Sequence, residues 1–297
     1  MKIIYLCLIV MCQTLLHSEI YDCFTFFNEL ELLKVRFEEL YEDVDHFVLV
    51  EASKTFSGNS KPLYFSENAH QFEKYKEKII HVVVDDFPAP TCDPDNDRWV
   101  REEFQRNAML RGLVGCKDED IILISDLDEI PNQQSIYQIR NFFNKHGFYP
   151  SEEKRSSSNE ATFLQENQFI CELHMRLFIF YLNQESSFGW KGAVKAAPYW
   201  LVNKRSPWNL KILHMHDGNL PKIYDAGWHL HAMGGKERIR YKLNSISHTY
   251  ETQSVDSFVE WTRGNYGTFL VPIDDSYPQY IQNHEDFFQS IGWVTLN

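Results

Sequence analysis

The stretch Ile121-Ile122-Leu123-Ile124-Ser125-Asp126-Leu127-Asp128-Glu129-Ile130-Pro131 decides how this chain is read. Four aliphatic residues run straight into a cluster of acids. A strand that is apolar on both faces belongs to a sheet covered on both sides. Such sheets bind ligands outside the carboxyl ends of their strands, so the acids stand where chemistry is expected. Residues two apart on extended backbone point the same way. Asp126 and Asp128 are therefore expected to present two carboxylates together, with Pro131 helping to stop the strand.

Two like charges side by side are unfavourable unless something cationic sits between them. A divalent ion answers that need, and oxygen ligands suit Mg²⁺ or Mn²⁺ shared with substrate phosphates. Such an ion stabilises a leaving diphosphate. The plainer alternative is a surface acidic turn, and the fully apolar strand before the acids favours the metal.

Upstream, strand and helix alternate. Ile20–Phe26, His46–Val50 and Ile79–Val84 are further strand-like runs. Asn28 is placed to cap a helix on which Leu30, Leu33, Phe37, Leu40 and Tyr41 share one face. Asp97–Leu113 is a second helix. The pattern predicts an α/β fold with a mostly parallel central sheet in residues 19–150. Ser151–Glu160 is a polar, serine-rich linker. Beyond it, residues 151–297 contain an apolar run over 161–181 and the blocks Gly189-Trp190-Lys191-Gly192 and Gly227-Trp228-His229. That half is expected to be a mixed acceptor-binding lobe, continuous with the first half in one domain.

Composition narrows the class. With 43% hydrophobic and 15% aromatic residues in 297, the chain can bury a substantial core. A net charge of −13 and no Lys/Arg-rich block argue against nucleic acid as a partner. No G-x-S-x-G, P-loop or G-x-G-x-x-G occurs, which removes the common hydrolase, ATPase and dinucleotide readings. The six cysteines include no C-x-x-C, so free thiols are expected instead of zinc or dense disulfides. Lys2 followed by the apolar run Ile3–Leu16 reads as a signal peptide or anchor over residues 1–18, predicting export or membrane association.

Several blocks resemble glycosyltransferase family 17: Ile20–Glu29, Phe47–Ala52, Lys54–Gly58, Arg101–Leu113, Ser125–Pro131 and Ala226–His229. The resemblance runs from Ile20 to about Tyr250. It implies a GT-A-like nucleotide-sugar-binding fold and an inverting mechanism. It also implies UDP-N-acetylglucosamine as donor, a glycan or glycoprotein acceptor, and Mn²⁺ at the D-x-D. The Ala226-Gly227-Trp228-His229 block continues differently from the animal enzymes, as Leu230-His231-Ala232-Met233-Gly234-Gly235.

Roles follow from residue type. An inverting transfer needs a carboxylate to take the acceptor proton. Glu237, carried on a loop after two glycines, is the first candidate, with Asp225 and Glu129 next. His229 and His248 are candidates for a further metal ligand beside Asp126 and Asp128. Trp228 is a candidate to stack on a sugar. Arg101 and Arg106, on one helix stripe with Gln105, suit phosphate. Glu51 ends the second strand at the ligand edge, and Asp126 doubles as a donor contact. Two rivals share these residues: another metal-dependent nucleotide or phosphate enzyme, and a non-catalytic sugar-binding protein.

Overall fold

The four upstream strands form one parallel block. β1 (Ile20–Phe26) lies between β2 (His46–Ala52) and β4 (Ile121–Asp126), and β2 pairs with β3 (Ile79–Val84), all in parallel. The structure is a computed structural model and describes residues 18–149, 165–215, 220–247 and 254–295. Both faces of this block are covered, as its unbroken apolar strands require. Ile20, Phe24 and Phe26 pack with α1 (Leu30–Leu40) and with Ile136, Ile139 and Phe143 of α4 (Gln133–His146). Tyr21, Cys23, Val48 and Val50 pack on the opposite face, with Met109, Leu113 and Leu201.

The sheet as a whole is mixed, which corrects the expectation of a mostly parallel sheet. After the short β5 (Glu129–Pro131) come β6 (Cys171–Ile179), β7 (Gln184–Ser186) and β8 (Trp190–Pro198). β8 inserts antiparallel between β4 and β6, and β7 is antiparallel to β6. Then follow β9 (Lys222–Ile223), β10 (Gly227–His231) and β11 (Thr268–Leu270). β10 runs parallel to β6 and antiparallel to β5. All eleven strands join one sheet that crosses residue 150. An apolar run records that a strand is buried but not its direction, so the later half gave no sign of the reversal at β8.

Two local expectations change. α1 has Glu29, not Asn28, at its N-cap position and makes no side-chain cap bond; the Asn28 N–H donates to Glu29 Oε2. The second helix, here numbered α3 after α2 (Tyr64–Asn68), begins at Pro94 and ends at Asn107, tightening to 3₁₀ geometry over Ala108–Gly112. Asp93 caps it, accepting the N–H groups of Asp95 and Asn96, and Pro94 supplies a preset φ at the first turn. Among the described residues Cys23, Cys92, Cys116 and Cys171 are free thiols. The apolar segment 1–17, the serine-rich linker and His248 lie outside the described residues. No helix among those described is long and apolar enough to cross a membrane.

Candidate active site

β4 ends at Asp126, Leu127 and Asp128 make a turn, and β5 starts at Glu129. The two aspartates are therefore not residues of one extended strand, and Pro131 sits inside β5, paired with Gly227, instead of stopping β4. The carbonyls of such a turn need donors. Arg36 of α1 collects them: its Nη1 donates to the carbonyls of Asp126, Leu127 and Glu129 at 3.0, 3.1 and 2.9 Å. Its Nε and Nη2 grip Asp22 at 2.7 and 2.5 Å, and Nη2 also donates to Ser125 Oγ at 2.6 Å. Arg36 and Asp22 are both fully buried. Only a planar fork of five donors satisfies so many acceptors at once.

The turn faces a cavity of about 280 Å³. Its walls come from the end of β1, the loop at Lys54–Phe56, α3, β10 and the end of α7 (Gly235–Ser245). Here each aspartate has its own cations. Asp126 Oδ1 accepts from Arg106 Nη2 at 2.8 Å and from Thr25 Oγ1 at 3.1 Å, and Lys211 Nζ lies 3.5 Å from Oδ2. Asp128 Oδ2 accepts from Lys242 Nζ at 2.8 Å, and its Oδ1 lies 3.5 Å from His229 Nε2. Burial alone would raise both carboxyls. Arg106 and Lys211 outweigh it for Asp126, and Lys242 and His229 outweigh it for Asp128, so both are held below the usual carboxylate range. Burial likewise opposes the charge of Lys242, but Asp128 and Glu29 hold its ammonium protonated.

β10 brings two imidazoles to the same wall, because His229 and His231 are two apart on a strand. His229 is 5% exposed, and its Nδ1 has no hydrogen-bond partner among the described residues. Its ring sits 4.5 Å from that of Trp190 and 5.3 Å from that of His231. Burial, with His229 and Lys242 adding to it, pushes His231 down to about 3. Asp128, His229 and His231 each offer one ligand atom, and these atoms lie within 4.8 Å of one another. This mixed carboxylate and imidazole set fits a divalent cation.

The candidates named from sequence separate into two groups. Asp126, Asp128, Glu129, Arg106 and His229 line the cavity. Glu129 is buried there and fully engaged: it accepts from Trp190 Nε1 at 2.9 Å, from the Asp126 N–H at 2.9 Å, and from Lys211 Nζ. The others stand off the cavity wall. Glu51 is fully buried and accepts the N–H groups of Phe65 and Ser66 in α2. Arg101 donates to the Phe56 carbonyl at 2.8 Å, beneath the Lys54–Phe56 loop. Trp228 belongs to the core and donates to the Ser276 carbonyl at 3.0 Å. Glu237 is exposed in the first turn of α7, and Asp225 is exposed with a φ of 52°.

Residues that sequence reasoning passed over complete the site. Lys242 and Lys211 are the counter-ions of the acids, and no motif marks them. They arrive from α7 and from α6 (Pro207–Lys211), which follows α5 (Tyr199–Arg205). Trp190 was visible only as part of a Gly-rich block. His231 carried a signal, since His-Leu-His on a strand puts both rings on one side.

Residues 6–145 match the family described as Glycosyltransferase family 17. The human beta-1,4-mannosyl-glycoprotein 4-beta-N-acetylglucosaminyltransferase is 32% identical over 115 residues, 37% of this chain and 21% of the human protein. The rat protein of that name is 32% identical over the same share, and the mouse protein 31%. The aligned part thus spans about a fifth of these relatives' length. The resemblance read from the sequence motifs holds over the half that carries β1 to β4 and the acidic turn.

Proposed function

We propose, on the family-17 match over residues 6–145, that the chain is a glycosyltransferase whose nucleotide-sugar donor binds in the cavity at the Asp126–Glu129 turn. The fold is taken as GT-A-like and the transfer as inverting: N-acetylglucosamine moves from UDP-N-acetylglucosamine to a glycan hydroxyl in β linkage. The observation that carries this is the pairing of acids and fixed cations around one cavity at the carboxyl end of a parallel block. Arg106, Lys242 and Lys54 offer donors to a diphosphate there. A divalent ion, Mn²⁺ in preference to Mg²⁺, supplies further positive charge to the leaving UDP when bound, with Asp128 and His229 as its holders.

The chain's own residues do the rest. Arg106, anchored on Asp126, is pre-set to meet a phosphate oxygen without reorganising. Glu129 spends its carboxylate on Trp190, Lys211 and the Asp126 N–H, so it orients the turn. Glu237 or Asp225 as the acceptor's base requires the glycan to lie over the first turn of α7 or the start of β10. Residues 1–18 are proposed to direct export or membrane association, on the strength of Lys2 and the apolar run behind it.

The test is release of UDP from a panel of UDP-sugars, with Mn²⁺ and with chelator, beside Asp128→Asn. Metal-dependent release favouring UDP-N-acetylglucosamine, lost in Asp128→Asn with the fold retained, is the expected result. No release and no donor binding by calorimetry would remove the transferase assignment in favour of a sugar-binding protein. Turnover of nucleotides regardless of the sugar would point to another phosphate enzyme.

A further inference from the structure

We infer that the block Gly189-Trp190-Lys191-Gly192 presents the Trp190 indole to the cavity as a stacking platform for the hexose ring of a sugar nucleotide, an inference that rests on the transferase reading of the cavity and deepens it. No role attaches to this block from sequence alone. Trp228, the tryptophan expected to stack on a sugar, belongs to the core.

The backbone around Trp190 is irregular in a specific way. Trp190 pairs with Met175 and Val194 pairs with Leu173, so two steps along β6 face four along β8. The surplus residues form a bulge, and bulges bend a strand and re-aim the side chains beside them. Gly192 lies inside it with a φ of 70°, and Gly189 precedes Trp190 with a φ of 63°. Residues with a Cβ avoid that conformation, and a Cβ at Gly189 would also stand 3.1 Å from the Met175 carbonyl. Lysine is rarely buried without partners. Lys195 is fully buried and donates to the Gly192 carbonyl at 2.8 Å, with Glu172 3.2 Å away on the facing residue of β6. A buried ion pair thus holds the bulge.

The ring itself is fixed by two contacts. Its Nε1 donates to Glu129 Oε1 at 2.9 Å, and its centroid lies 4.5 Å from that of His229. It is nevertheless only half-buried, and it lines the cavity. An aromatic face carries negative charge density and attracts the C–H groups on the apolar face of a pyranose. A ring already held in place loses little freedom when a sugar settles on it.

Position selects which part of the ligand reaches it. The sheet order β8-β4-β1-β2 puts the acidic turn between two ends of the cavity. The end beyond β1 and β2 carries Phe27, Lys54 and Lys61, and the end on β8 and β10 carries Trp190, His229 and His231. Arg106 and Lys242 face the diphosphate between them. The nucleoside then takes the lysine end and the hexose the Trp190 end.

Calorimetry on the full chain, with the same Mn²⁺ throughout, compares UDP-N-acetylglucosamine with UDP in the parent protein, Trp190→Phe, Trp190→Leu and Trp190→Met. Thermal unfolding midpoints check each variant. The readout is the ratio of the two affinities, which a residue that merely supports Glu129 does not move. Trp190→Phe keeps a ring and loses the N–H, whereas Leu and Met fill the space without an aromatic face. The ratio is expected to hold in Trp190→Phe and to turn against the sugar nucleotide by about tenfold in Trp190→Leu and Trp190→Met. An unchanged ratio in the Leu and Met variants, or an equal loss in Trp190→Phe, would overturn the platform while the transferase reading stood. A parent protein that binds neither ligand would overturn the transferase reading and the platform with it.

Discussion

Arg36 and Asp22 form a two-pronged ion pair, at 2.7 and 2.5 Å, with neither side chain exposed, and the same guanidinium binds three carbonyls of the acidic turn. The acidic turn is thus tied to α1 through this one side chain. Removing one partner of a buried pair leaves an uncompensated charge, at about 3–5 kcal/mol. Arg36→Met is expected to lose stability of that order in urea denaturation, and Arg36→Lys less, because it keeps the charge but not the fork. An unchanged urea midpoint in Arg36→Met would show that the turn is held by other means.

Gly227 has a φ of 137°, and a Cβ there would stand 2.1 Å from the Ile130 carbonyl and 2.9 Å from the Asn132 nitrogen. This glycine lets β10 approach β5, so the first residue of β10 is structural while His229 faces the cavity. Gly227→Ala is expected to cost about 3 kcal/mol, from strain and overpacking together. Denaturation at equilibrium checks it, and a neutral result would mean that β5 shifts without penalty.

Glu237 lies exposed in the first turn of α7, away from the cavity walls. A carboxylate at a helix N-terminus is favoured by the dipole alone. Glu237→Gln is expected to retain transfer near the parental rate. A loss of about a hundredfold or more, the size a general base contributes, would instead put the acceptor over this helix.

Lys195 is fully buried between Glu172 and the Gly192 carbonyl, and burial pushes its ammonium down to about 8. In the unfolded chain it titrates near roughly 10.4. Between those values the unfolded state holds more protons, so stability rises with pH across the window. Below pH 8 both states are charged and the fold bears the full cost of burial. From pH 7.5 to 9.5 this contribution grows by roughly 2 kcal/mol in the parent protein and is absent from Lys195→Met. Denaturation at the two pH values reads the difference, and parallel pH profiles would refute it.

The first half of the fold could be read from residue order alone. β1 and β3 fall on the expected residues, and β2 and β4 run two residues further than expected. Apolar strands that must be covered on both faces leave few alternatives, and an acidic cluster at the end of one of them marks the ligand edge. The motif resemblance was legible there for the same reason: contiguous segments build that half. Sequence by itself therefore determined the parallel block, and it singled out Asp126, Asp128, Arg106 and His229, which the fold brings to the wall of one cavity.

Tertiary structure decided the rest. Whether β8 enters the sheet parallel or antiparallel depends on how a long connection returns, which no local pattern records. Which cation meets which acid depends on α6 and α7, whose lysines reach Asp126 and Asp128 from more than eighty residues away. Glu51 and Trp228 have the residue types of site groups, but burial gave one to backbone N–H groups and the other to the core. A side chain's chemistry is written in its type. Its use is set by what folding brings within hydrogen-bonding distance of it.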